Sequence, residues 1–198
     1  MANELELKAV VEDPARIRAA LTAAGARRTF RGLLRDRRLD AGGRLTAADT
    51  VLRVRRWIPD EGPESALVGW KGPVSVSPGG YKQREELEYE VEDGAAALQV
   101  FAALGYEVVH AIDRAVEVHA LADGVARLEW YPRMDILLEI EGTPAAIESL
   151  VAATGLRRDA CLPDALALFV SRYEARTGRR ALLAEAELDG EPPGWSGW

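Results

Sequence analysis

Glu4-Leu5-Glu6-Leu7-Lys8 puts a charge on every second residue and an apolar side chain between each pair. That alternation is the period of a β-strand: Glu4, Glu6 and Lys8 share one face, while Leu5, Leu7 and Ala9 share the other. Asp13-Pro14 follows as an N-cap and first helical residue, and the spacing predicts a helix ending at Gly25. The plan returns twice. Glu86-Leu87-Glu88-Tyr89-Glu90 precedes an N-cap at Asp93 and a helix stopped at Gly105; Glu139-Ile140-Glu141 precedes Thr143-Pro144 and a helix stopped at Gly155.

Between these units lie further alternating runs, at Val51 to Ile58, Ala66 to Trp70, Tyr81 to Val91, Val108 to Leu121 and Val125 to Tyr131. Gly42-Gly43, Pro59-Asp60-Glu61-Gly62, Pro78-Gly79-Gly80 and Ala122-Asp123-Gly124 separate them as hairpin turns do. Many of the basic residues fall between Arg27 and Arg56, a segment whose strands would face the same space. About eight strands result, the number whose closed barrel has an interior as wide as its side chains. The fold class read from this pattern is α+β: an eight-stranded antiparallel β-barrel with helices packed outside. A last helix is expected from Pro163 to Ala175, with Gly178 beyond it. Residues 1–180 form one domain in this reading. Residues 181–198 form a tail whose Gly-, Pro- and Trp-rich end reads as a loose end, with an ordered lid as the alternative.

The charged faces repeat from strand to strand. Arg53 and Arg55 alternate with Leu52 and Val54; Arg84, Glu86, Glu88 and Glu90 with Leu87, Tyr89 and Val91; Arg127 and Glu129 with Leu128 and Trp130; Glu139 and Glu141 with Ile140 and Leu138. If the apolar faces meet helices, the charges point into one tunnel. Burying so many charges costs several kcal/mol each, against a stability of about 5–15 kcal/mol, unless they neutralise one another or a ligand. Clustered carboxylates ask for a hard divalent cation such as Mg²⁺ or Mn²⁺, and the bases opposite ask for phosphate oxygens. A polyphosphate bridged by metal satisfies both.

Composition narrows the classes. Twenty-five Lys and Arg against thirty-two Asp and Glu leave a net charge of −7, which argues against generic nucleic-acid binding. No apolar run approaches the roughly 20 residues of a membrane span. Met-Ala-Asn-Glu-Leu-Glu lacks the basic start and apolar stretch of a secretory signal, so a cytoplasmic protein is expected. The single Cys161 allows neither an internal disulfide nor a zinc site. His110 and His119 read as surface or strand residues, and no phosphate-loop motif is present. A homodimer is expected on base rate.

The ordered set Glu4-x-Glu6-x-Lys8, Asp36 to Asp40, Arg53-x-Arg55, Lys71 in Gly-Trp-Lys-Gly-Pro, Arg84-x-Glu86-x-Glu88 and Glu139-Ile140-Glu141 resembles the CYTH family of triphosphate tunnel metalloenzymes, over roughly residues 1–155. The resemblance implies that Glu4, Glu6, Glu139 and Glu141 hold Mg²⁺ or Mn²⁺ and that Lys8, Arg53, Arg55, Lys71, Arg84, Arg114 and Arg127 grip phosphates. It casts Lys8 as catalytic as well, with Glu88 or Glu129 orienting water. Two positions depart from the pattern. Val116 stands where a second base follows Arg114, and Glu129 precedes an altered loop from Trp130 to Asp135. Trp57, on the face of Arg55, would stack on an organic group at the tunnel mouth or serve as a rim residue. The implied activity is metal-dependent hydrolysis of an inorganic or organic triphosphate. The alternatives are formation of cyclic AMP from ATP, chemistry on an organic di- or triphosphate, or binding of polyphosphate without turnover.

Overall fold

The computed structural model describes residues 2–198. Its strands are β1 (Ala2–Val11), β2 (Arg27–Asp40), β3 (Val51–Pro59), β4 (Ser65–Lys71), β5 (Ser75–Val76), β6 (Lys82–Val91), β7 (Glu107–Leu121), β8 (Gly124–Trp130) and β9 (Ile136–Gly142). Eight close a ring in the order β1-β9-β8-β7-β2-β3-β4-β6, with β6 returning to β1 and β5 added as a short edge on β6. Every pairing is antiparallel.

The helices are α1 (Pro14–Ala23), the single turn α2 (Arg44–Ala47), α3 (Gly94–Ala103), α4 (Pro144–Thr154) and α5 (Leu166–Thr177). The capping signals place their starts: Asp13, Asp93 and Thr143 each accept a hydrogen bond from a backbone N–H in the first turn. Helices α1 and α4 cover the outer face of β1, β8 and β9, and α3 covers β3 and β4. The main apolar core therefore lies outside the ring, between Leu7, Leu128, Leu138 and Ile140 of the strands and Leu21, Ile147 and Leu150 of the helices, all at most 1% exposed. None of the helices among the described residues is long and apolar enough to cross a membrane.

Two details differ from the sequence reading. The last helix begins at Leu166, not Pro163, because Pro163 and Asp164 lie in the approach to it. The tail takes the ordered course. Leu182 pairs with Arg133 through two backbone hydrogen bonds, the N–H of Asp113 donates to the Leu183 carbonyl, and the Arg31 guanidinium donates to the Trp198 carbonyl at 2.7 Å. Trp195 is buried in the main core. Gly194 passes so close to the chain after β8 that a Cβ there would lie 2.6 Å from the Tyr131 carbonyl oxygen. The tail's apolar side chains thus extend the outer core that the helices begin, Trp195 joining the cluster of α1 and α4 and Leu183 that of Phe169 in α5.

Candidate active site

Residues directly opposite each other on paired strands share a face, so the register tests whether the charges converge. They do. Glu4 faces Arg84 and Glu6 faces Lys82 across β1 and β6; Glu6 and Lys8 face Glu141 and Glu139 across β1 and β9. Arg127 faces Glu139, Asp36 faces Arg55, Arg38 faces Arg53, and Lys71 faces Glu86. All of these side chains but Asp36, which is buried, line one cavity of about 420 Å³.

Its floor is a dense ionic network, in which only Arg114 Nε lacks an acceptor. Arg55 grips Asp36 in a bidentate pair (2.7 and 3.1 Å), and Arg114 donates to the same carboxylate at 2.6 Å. Arg114 also approaches Glu129 at 3.3 Å, where Arg127 donates at 2.9 Å and the Tyr131 hydroxyl at 2.6 Å. Burial would push both carboxyls up, but the arginines outweigh it and hold Asp36 well below the ordinary range and Glu129 at about 2. Burial likewise works against charge on Arg114 and Arg127, yet their carboxylate partners raise both above the usual arginine value.

The walls carry pairs that are less complete. Lys8 donates to Glu6 at 2.6 Å and contacts Glu139; Lys82 also reaches Glu6, and Lys71 lies between Glu4 at 3.1 Å and Glu86. Burial, reinforced by Arg53, pulls the Lys71 ammonium down to about 7 despite Glu4 and Glu6. Arg53 donates to Glu88 at 2.6 Å and Arg84 to Asp49 at 2.6 Å. One oxygen each of Glu4, Glu6 and Glu141 lie within 4.8 Å of one another, an all-oxygen donor set that fits a hard divalent cation. Glu139 lies outside that set, paired with Lys8 and Arg127, which also reach Glu6 and Glu141.

No protein-family model matches the sequence, and no curated protein does. Solved structures do. The chain is similar to the PH1012 protein of Pyrococcus horikoshii OT3 (20% identity, TM-score 0.68, covering 84% of this chain and 98% of that one). It is similar to a Vibrio parahaemolyticus protein proposed to be an adenylate cyclase (17%, TM-score 0.71, 85% and 97%). A Hippeastrum protein, proposed as an adenylyl cyclase and showing a dominant triphosphatase activity, matches at 15% identity and TM-score 0.59, over 92% and 99%. The fold is a CYTH-like barrel. At these identities the likeness is one of fold.

Within that CYTH-like barrel, Glu4, Glu6, Lys8, Arg53, Arg55, Lys71, Arg84, Glu88, Arg114, Arg127, Glu139 and Glu141 all line the cavity, and Glu129 lies buried at its floor. Val116 faces inward too, but joins Leu34, Val118, Phe30, Trp57 and Val125 in an apolar cluster that ends the charged chamber. Trp57 borders both this chamber and a second, more apolar cavity of about 390 Å³, where Phe30 meets it edge-on with ring centres 4.9 Å apart. Glu90 is exposed beside the second cavity and takes no part in the first.

Sequence reasoning missed Arg38, Lys82 and Asp49. Extending the alternation of Arg84 and Glu86 back by one step finds Lys82. Arg38 is hidden in the run Arg35-Asp36-Arg37-Arg38, where both faces are charged. Of the two histidines read as surface or strand residues, His119 is a buried strand residue of β7, 2% exposed, with its Nε2 3.7 Å from Glu117. His110 is exposed as expected.

Proposed function

We propose that the chain hydrolyses a triphosphate inside this tunnel, with a divalent cation bound at Glu4, Glu6 and Glu141. The observation that carries the reading is the closed inner surface, on which a carboxylate cluster and an array of lysines and arginines face one cavity too small for a macromolecule. When bound, Mg²⁺ or Mn²⁺ would supply neutralisation of phosphoryl oxygens that fixed bases alone do not reach. The triphosphatase activity of the Hippeastrum protein supports hydrolysis over cyclisation.

The chain's own residues divide the remaining work. Asp36 and Glu129 hold Arg55, Arg114 and Arg127 in place before a ligand arrives, so their charge is oriented toward a transferring phosphoryl group without reorganisation. Lys8, between Glu6 and Glu139, stands where the carboxylate cluster meets the basic wall and would contact a phosphoryl oxygen there. Of the two carboxylates expected to orient water, Glu129 spends its oxygens on Arg114, Arg127 and Tyr131. Glu88 engages one oxygen with Arg53 and is exposed at the chamber wall, where water reaches it, so it is the better placed. Glu139 then acts as a positioning residue for Lys8 and Arg127.

The cyclase reading draws on the second cavity, which offers an apolar space beside the chamber. One assay separates the two: orthophosphate, pyrophosphate and cyclic AMP released from inorganic triphosphate, ATP and thiamine triphosphate under saturating Mg²⁺ and Mn²⁺. Orthophosphate is the expected product; pyrophosphate with cyclic AMP from ATP would replace hydrolysis by cyclisation, and silence with every substrate would overturn both. The double substitution Glu4→Gln and Glu6→Gln is expected to lower turnover more than about a hundredfold, beyond what outer-sphere changes cost. Its circular dichroism should match the unaltered chain, because removing adjacent carboxylates also relieves repulsion.

A further inference from the structure

The lysines and arginines that line the chamber each lie within 4.0 Å of a carboxylate, with one exception among the described residues: Arg38. Its guanidinium makes no ion pair, and its Nε is buried without a hydrogen-bond acceptor. It sits directly opposite Arg53 across β2 and β3, on the same inward face. Arg53 is 94% buried, and its Nε is also without an acceptor, although its Nη2 holds Glu88.

Like charges directly opposite each other on a sheet are destabilising, and a buried donor without an acceptor carries an uncompensated desolvation cost. The chamber has no spare carboxylate for this pair: Asp36 is taken by Arg55 and Arg114, and Glu88 by Arg53 alone. Burial, with Arg53 adding to it and the nearby Asp36 charge only partly offsetting it, pulls the Arg38 guanidinium down to about 10, so it stays charged at neutral pH. The two guanidinium groups therefore face each other with donors to fill and nothing in the protein to fill them. An oxyanion between them satisfies both. Ala165–Ala167, the uncapped start of α5, borders the same chamber and adds no negative group to it.

The position on the ring says which part of the ligand this is. Strand β2 stands four strands from β1 in either direction, so Arg38 lies on the wall opposite the Glu4 and Glu6 carboxylates. A ligand that touches both must span the lumen. We propose that Arg38, with Arg53, forms an anion clamp for the phosphoryl group farthest from the carboxylate cluster, and so selects three-phosphate over two-phosphate ligands. The inference rests on the reading of the tunnel as a triphosphate site. On that geometry a pyrophosphate engaged at one wall leaves the other unmet, whereas the longer triphosphate is the ligand that would meet both.

The test is Arg38→Gln, measured by calorimetric titration with inorganic triphosphate and with pyrophosphate, and by thermal unfolding with and without each. The expected result is a roughly tenfold or greater loss of triphosphate affinity, about 1.4 kcal/mol, with pyrophosphate changed by less than about threefold. The melting temperature without ligand should stay the same or rise, because repulsion with Arg53 is relieved, while stabilisation by triphosphate shrinks. Arg38→Lys should recover part of the affinity but not the bidentate geometry. Unchanged triphosphate affinity, equal losses for both ligands, or a lowered melting temperature with affinity retained would each overturn the clamp. An unaltered chain that binds neither ligand would overturn the tunnel reading beneath it, a distinguishable failure.

Discussion

Two buried ionic networks lie back to back across β7. Arg114 points inward to Asp36 and Glu129, whereas Asp113 and Glu117 point outward on the same strand. Outside, Glu117 receives Arg18 at 2.7 and 3.1 Å and Arg31 at 3.3 Å, and Asp113 receives Arg37 at 2.8 Å and the Glu185 backbone N–H at 3.0 Å. That network fastens α1 and the tail to the barrel, and its carboxylates are supplied entirely from the chain. Inside, the same chemistry stops short: Nε atoms of Arg38, Arg53, Arg84 and Arg114 are buried without acceptors. The outer network leaves Arg35 Nε and the His119 ring nitrogens without partners but pairs its arginines with carboxylates, and so acts as a staple; the inner one, in which Arg38 has no carboxylate, is left rich in donors and is a binding surface.

The largest effect that would break this contrast lies at Asp36. Asp36→Asn leaves Arg55 and Arg114 buried without their shared counter-charge, and breaking such a network typically costs about 3–5 kcal/mol. Denaturant unfolding should show that loss. Saturating inorganic triphosphate should return more stability to the variant than it adds to the unaltered chain, because its oxygens replace the missing carboxylate. A loss that ligand does not lessen would make the inner network another staple.

What the sequence disclosed follows from which signals survive without tertiary context. Period-2 alternation in Glu4 to Lys8 or Arg53 to Arg55 holds for one strand alone, so the barrel and most of its lumen were legible. Arg38 was not, because Arg35 and Arg37 point outward to Glu185 and Asp113 and mask the alternation of Asp36 and Arg38. The ordered tail was equally hidden. Its Gly and Pro content resembles a loose end, and only its packing into the outer core and its backbone pairing with Arg133 explain why Trp195 and Leu182 are buried there. Glu129 was read for its carboxylate, yet its partners, Arg114 from β7 and Tyr131 from beyond β8, are set by pairing register and loop course.

The outer network offers a smaller, opposite test. Burial would raise the Glu117 carboxyl, but His119 and Arg18 outweigh it and hold it at about 2 in the folded chain against an ordinary 4.5. A carboxyl lowered on folding contributes stability above pH 4.5 that is lost as pH falls toward about 2. Glu117→Gln should therefore cost about 1–2 kcal/mol at neutral pH, and flatten the fall in stability between pH 4.5 and 2. Inorganic triphosphate should stabilise this variant as much as the unaltered chain. A ligand-dependent recovery here would mean that the two networks communicate through β7.

The smallest expected effect sharpens the contrast by a single methyl group. Gly124 and Gly69 both lie in strands, but on different faces of the barrel. A Cβ on Gly124 would lie 2.7 Å from Leu150 Cδ1 of α4, so that glycine lets a helix approach. A Cβ on Gly69 would lie 3.1 Å from Glu88 Oε1 and 3.3 Å from Arg53 Nε, so this one leaves room for an ion pair. Displacing that pair by a few tenths of an ångström moves Arg53 relative to Arg38 and any oxyanion between them, while the strand itself tolerates alanine. Gly69→Ala should thus lower kcat/KM for inorganic triphosphate several-fold and leave the unfolding midpoint nearly unchanged, as steady-state kinetics beside denaturant titration would show. Full activity with lowered stability would instead place Arg53 and Glu88 with the staples, and the donor surplus of the lumen would then end one strand short of Arg38.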